Sequence, residues 1–124
     1  SFVRELVEVT GPYQLIDYEV RSVGGEREHC VARVQVAENE IKIEGEGTGP
    51  IDAFVNALTS TLNESINVVD YQEYALNEGS QAKAISIIKI ADSKANKCFG
   101  VGISPNTTTA AFKSIIAALN RLWR

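Results

Sequence analysis

The sequence predicts an α+β domain built from two pseudo-symmetric βββα units, an antiparallel sheet with helices on one side. Three observations predict it. Short stretches alternate apolar and polar residues at period two. Two glycine-rich segments each run into an apolar stripe at helical spacing. The order of these features then repeats, weakly, after roughly 55 residues. A chain of 124 residues is one domain's worth and can bury a core without disulfide or metal staples.

Gln14 to Val23 is apolar and β-branched, and Gly24-Gly25 closes it as a turn. Cys30 to Val36 alternates, with Cys30, Ala32, Val34 and Val36 on one face. Glu38-Asn39 turns the chain, and Glu40 to Glu46 alternates again around Ile41 and Ile43. Such short turns cannot make parallel crossovers, so the three strands form an antiparallel meander. Pro50 opens a helix, where its missing N–H costs nothing. Ile51, Phe54, Val55, Leu58 and Leu62 make one helical stripe. Asn63 to Asn67 is a linker.

The second unit follows the same scheme. Val68 to Leu76, Ala82 to Ala91 and Lys97 to Ile103 are strands, with Asn77 to Ser80 as a turn. Thr107 or Thr108 can cap the last helix, whose apolar face is Phe112, Ile115, Ile116, Leu119, Leu122 and Trp123. Three alignments carry the repeat. Leu15-Ile16-Asp17-Tyr18 matches Val68-Val69-Asp70-Tyr71. Lys42 to Gly47 matches Lys97 to Gly102, which sets Gly45 with Gly100. Ile51 to Asn63 matches the segment from Ala110 to Asn120, which sets Phe54 with Phe112.

Composition excludes several functions. The net charge is −4 and no Lys/Arg cluster exists, so the counterion release that drives nucleic-acid binding has no footprint. No apolar run approaches the roughly 20 residues of a membrane span, no signal peptide is visible, and the expected location is the cytoplasm. Cys30 and Cys98 read as two buried thiols. The single histidine, His29, reads as a surface-turn residue, since a zinc site needs about four spaced ligands. Glu38, Glu40, Glu44 and Glu46 read as a solvated sheet face. No nucleophile–base pair can be assembled, so the expected site list has no catalytic residue, no metal and no cofactor.

The two glycine segments, Gly45 to Pro50 and Gly100 to Pro105, lead strands into helices. Such loops either admit close helix–sheet packing or present backbone N–H groups to a small anion at the positive end of the helix dipole. Neither fits a phosphate loop or a dinucleotide fingerprint.

These segments resemble the C-terminal regulatory (dimerisation) domain of 2-isopropylmalate synthases. The resemblance lies in Gly47-Thr48-Gly49-Pro50-Ile51-Asp52-Ala53-Phe54, in Val69-Asp70-Tyr71-Gln72-Glu73-Tyr74-Ala75, and in Gly100 to Ala110 with the closing Leu119-Asn120-Arg121. It implies a parent acyltransferase that condenses acetyl-CoA with 2-oxoisovalerate on a metal-dependent (β/α)8 barrel outside this sequence, the first committed step to leucine. It implies that residues 1–13 are linker from that barrel and residues 14–124 the regulatory domain, with repeats at about 14–63 and 67–124. It further implies a homodimer that binds leucine for feedback inhibition. On these residues, N–H groups near Gly49, Ile51 and Asp52 would meet the leucine carboxylate or flank the slot. Strand carbonyls or Asp70 would meet the ammonium. Ile51, Val68, Tyr71, Ala75, Ala82 and Ile103 would line the apolar slot. An isoleucine sensor of the related citramalate synthases, and a dimerisation module without ligand, stand as alternatives.

Overall fold

The structure is a computed structural model that describes residues 11–62, 65–78 and 81–122. The order is β1 (Tyr13–Gly24), β2 (Arg27–Val36), β3 (Asn39–Gly47), α1 (Pro50–Leu62), β4 (Asn67–Glu78), β5 (Gln81–Ala91), β6 (Lys97–Ser104) and α2 (Thr107–Leu122). The strands form two antiparallel three-stranded sheets, β1-β2-β3 and β4-β5-β6. This is the predicted βββα unit, twice. Of the turn expected over Asn77 to Ser80, Asn77 and Glu78 belong to β4; residues 79–80 and Trp123 lie outside the described residues.

The alternation expected of half-buried strands decides each face. In β2, Cys30, Ala32 and Val34 are buried; in β5, Ala84, Ser86, Ile88 and Ile90 are. The β1–β2 turn needs positive φ at Gly24, Gly25 and Glu26, which glycine supplies without steric cost at two of the three. Helix α1 lies on β2 and β3, and α2 on β5 and β6. The two halves share one core, and Phe54 stacks on Phe112 with ring centroids 4.1 Å apart.

Register shows how the halves correspond. β1 carries a bulge between Leu15 and Asp17, and β4 one between Val68 and Asp70, so Tyr18 and Tyr71 are counterparts. Ala32 pairs Ile43 while Ile88 pairs Gly100, and Cys30 pairs Gly45 while Ser86 pairs Gly102. The structural counterpart of Gly45 is therefore Gly102, not Gly100. A Cβ on Gly45 would strike the backbone of Ala53 and Ala57; one on Gly102 would strike that of Ala110 and Ser114. Hence Ala53 corresponds to Ala110, Phe54 to Ala111 and Val55 to Phe112. Matching the two Gly-x-Gly runs by their letters misplaced this register. The second run begins one strand period earlier because α2 lies close to β6 at Gly100 as well as Gly102.

Asn106, not Thr107 or Thr108, caps α2: its Oδ1 accepts the Thr109 N–H at 3.0 Å, as an N-cap side chain does for the third helical residue. His29 is not in a turn. It sits in β2 and its Nε2 lies 2.9 Å from Glu44 Oε2. Cys30 is buried but Cys98 is half-buried, and both thiols are free.

The outer faces of the sheets differ. That of β1-β2-β3 carries Asp17, Arg33, Glu40, Glu44 and Glu46 in ion pairs. On β4-β5-β6, Tyr74 pairs Ile85, which pairs Ile103, and Phe99 pairs Lys89. Tyr74 is 50% exposed and Phe99 46%.

Candidate functional site

The pseudo-symmetry breaks where each half's first strand meets the other elements. β1 lies along α2. Its Tyr18 ring packs edge-on against Phe112, centroids 4.7 Å apart, and its hydroxyl lies 2.5 Å from Thr109 Oγ1. Asn120 bonds both main-chain polar groups of Tyr13. β4 makes no comparable contact with α1. Tyr71 turns its hydroxyl to Glu73 Oε2 at 2.6 Å instead. Burial, and then the Glu73 carboxylate, push its phenol up to about 12.

Between α1 and the start of β4 lies a cleft of about 530 Å³, within the range of small-ligand sites. Gly49, Ile51, Asp52, Val55, Ile66 and Val68 line it with Thr48, Pro50, Asn56 and Asn67. Its floor is the N-terminus of α1. Gly49 stands where α2 has its capping Asn106, so no side chain caps the first-turn N–H groups of Ile51 and Asp52 among the described residues. A Cβ on Gly49 would meet nothing within 4 Å. Asp52 curls back, and its Oδ2 accepts the Thr48 N–H at 2.9 Å. One carboxylate thus sits at the positive end of the helix, with the N–H groups of Ile51 and Asp52 beside it. The cleft offers donors for an anion, an acceptor for a cation, and apolar walls from Ile51, Val55 and Val68.

Of the nine residues named from sequence, Gly49, Ile51, Asp52 and Val68 meet in this cleft. Ala75 and Ala82 line a separate hollow of about 240 Å³ with Pro105 and Thr107. Ile103 lines a third, about 340 Å³, between the start of β1 and α2. Asp70 stands opposite Lys89 on the outer face, and its Oδ1 accepts the Tyr71 N–H at 2.9 Å. Tyr71 is on the inner face, opposite Ile88. One chain therefore does not gather all nine into one cavity. Sequence reasoning missed Val55, Asn56 and Ile66. Val55 and Asn56 lie one helical turn from Ile51 and Asp52, which was the available signal.

Among the described residues no three His, Cys, Asp or Glu side chains come together as a metal set, and no helix is long and apolar enough to cross a membrane.

Residues 2–123 match the family described as the LeuA allosteric (dimerisation) domain. The chain is 39% identical over 125 residues to a 2-isopropylmalate synthase of Clostridium acetobutylicum, with 97% of this chain and 22% of that protein covered. It is 38% identical over 127 residues to the enzyme of Rhizobium meliloti, covering 98% of this chain and 22% of that one. It is 34% identical over 114 residues to the mitochondrial 2-isopropylmalate synthase 2 of Saccharomyces cerevisiae, covering 87% and 19%. The chain spans about a fifth of the length of these relatives. By sequence along nearly its whole length and by its doubled βββα fold, it belongs to the LeuA allosteric (dimerisation) domain family, the regulatory domain of 2-isopropylmalate synthases.

Proposed function

We propose that this domain binds leucine in the cleft between α1 and β4 and, as a homodimer, conveys feedback inhibition to an acyltransferase barrel that condenses acetyl-CoA with 2-oxoisovalerate on a divalent metal. The observation that carries the reading is the uncapped start of α1 at Gly49, open to an apolar cleft, where the matching start of α2 is closed by Asn106. The leucine carboxylate takes the N–H groups of Ile51 and Asp52. The ammonium takes the free oxygen of Asp52, with Asp70 the other carboxylate at the start of β4. Ile51, Val55 and Val68 receive the side chain. Tyr71 joins the site along β4, and Ala75, Ala82 and Ile103 join it from the partner copy.

The apolar outer face around Tyr74, Ile85 and Phe99 supports the homodimer, since exposed apolar patches of this kind serve association. Leucine acts through its differential affinity for two arrangements, with a typical coupling of about 1–3 kcal/mol.

Thermal unfolding with leucine, isoleucine and valine tests the effector. Ligand at 100 times its dissociation constant adds about 2.7 kcal/mol. A shift largest with leucine is expected. A shift largest with isoleucine makes this the citramalate-type sensor. No shift from any of the three, in a dimeric chain, leaves an assembly module only.

A further inference from the structure

The two halves present the same junction in two states, so each is a control for the other. On one side β1 is seated on α2 by an aromatic pair, Tyr18 against Phe112, and by the Tyr18–Thr109 hydroxyl contact. On the other side the strand still offers its tyrosine, Tyr71. The helix positions that would hold it are Val55, the counterpart of Phe112, and Asp52, the counterpart of Thr109. Val55 is smaller by most of an aromatic ring, and it lines the open cleft. Asp52 spends one oxygen on Thr48, while Tyr71 bonds Glu73. Neither partner of the clamp reaches the other.

We infer that Val55 is the residue that keeps this cleft open, and that a branched amino-acid side chain lodged against it occupies the place of the missing aromatic and seats β4 on α1 as β1 is seated on α2. This rests on the effector reading above and deepens it by naming what binding changes. The physical reason is that the apolar walls of the open cleft, Val55 and Val68 among them, gain when they are covered. Either a side chain of the chain itself fills the junction, as Phe112 does, or a bound one does. A ligand that contacts both α1 and β4 stabilises only the arrangement in which they approach, which is the differential affinity a switch requires.

The test combines calorimetric binding of leucine with hydrogen–deuterium exchange of segments 65–76 and 13–24, in this chain and in Val55→Phe. In the parent, saturating leucine should slow exchange of 65–76 roughly tenfold and leave 13–24 unchanged. In Val55→Phe, 65–76 should already exchange slowly without ligand, and leucine affinity should fall at least roughly tenfold. Leucine that binds the parent without slowing 65–76 overturns the closure while leaving the effector site standing. Val55→Phe that binds leucine like the parent overturns the role of Val55. No heat of binding for leucine, isoleucine or valine in the parent overturns both readings. Should Val55→Phe fail to fold, the parent with and without leucine still decides whether β4 closes.

Discussion

Asn120 holds the main chain of Tyr13 at both polar ends: its Oδ1 accepts the Tyr13 N–H at 2.9 Å, and its Nδ2 donates to the Tyr13 carbonyl at 2.9 Å. The pair ties the last turns of α2 to the first residue of β1, and Asn120 is 4% exposed. Removing the amide deletes both of these buried hydrogen bonds, at about 1–2 kcal/mol each. Asn120→Ala should therefore lower stability by about 2–4 kcal/mol. Urea unfolding with an unchanged slope measures it; a loss under half a kcal/mol would show that the clamp contributes nothing.

The glycines of β6 are fixed by backbone. A Cβ on Gly102 meets the Ala110 carbonyl and the Ser114 nitrogen, neither of which can swing aside. Gly102→Ala should force α2 off the sheet and cost about 3 kcal/mol or more, the range of severe overpacking. Gly49→Ala, with open space around it, should cost no more than about 1 kcal/mol, the N-cap preference for glycine over alanine. Melting curves of the two variants side by side decide the matter.

Asn106 caps α2 where Gly49 leaves α1 uncapped, so Gly49→Asn transfers the cap to the other half. It should raise stability by a few tenths of a kcal/mol and compete for the N–H groups proposed to meet the leucine carboxylate. A melting shift with leucine that is unchanged in Gly49→Asn would remove the N–H groups of α1 from the site.

Acid and alkaline limbs of stability have different owners. The Arg33 guanidinium beside Asp17 holds that carboxyl below its ordinary range. Its contribution is present above the unfolded value, about 3.9, and disappears as pH falls through the lower folded value. Asp17→Asn should flatten that acid limb. Burial pushes the Cys30 thiol up to about 11 from 9.0. The folded state keeps its full advantage below pH 9 and loses it as pH rises through 11, because the unfolded chain ionises first. Cys30→Ala should lack this alkaline loss. Its smaller side chain also lowers stability at every pH, so slopes are the quantity to compare.

The free thiols supply a simpler check. Half-buried Cys98 should react with a maleimide or disulfide reagent in the native state, whereas Cys30 should react only at the rate of unfolding. Mass spectrometry after a short labelling pulse distinguishes them. Native labelling of Cys30 would contradict its placement in the core.

Period-two alternation made β2 and β3 legible from sequence, because each has one buried and one open face. Pro50 marked the start of α1 to the residue. The repeat was legible as order, but its register was not. Gly45 and Gly100 each open a Gly-x-Gly run, while the match that matters is set by which helix backbone each glycine faces. His29 looked like a turn residue because nothing in its neighbourhood shows that β2 starts at Arg27. That Gly49, Ile51, Asp52 and Val68 come together in one cleft was legible through a resemblance. That β4 stands off α1 was not, since it depends on what Val55 fails to fill.

Strand neighbours in each sheet are also neighbours along the chain. Each meander can therefore zip up through short loop closures, which favours rapid collapse of the halves as separate units. The contacts that join them, Phe54 with Phe112, Tyr18 with Phe112 and Asn120 with Tyr13, close far longer loops and are expected to form later. Truncating Tyr18 should then quicken unfolding while the refolding rate stays close to that of the parent. The seam between the halves governs how long the domain survives, and the meanders govern how fast it is made.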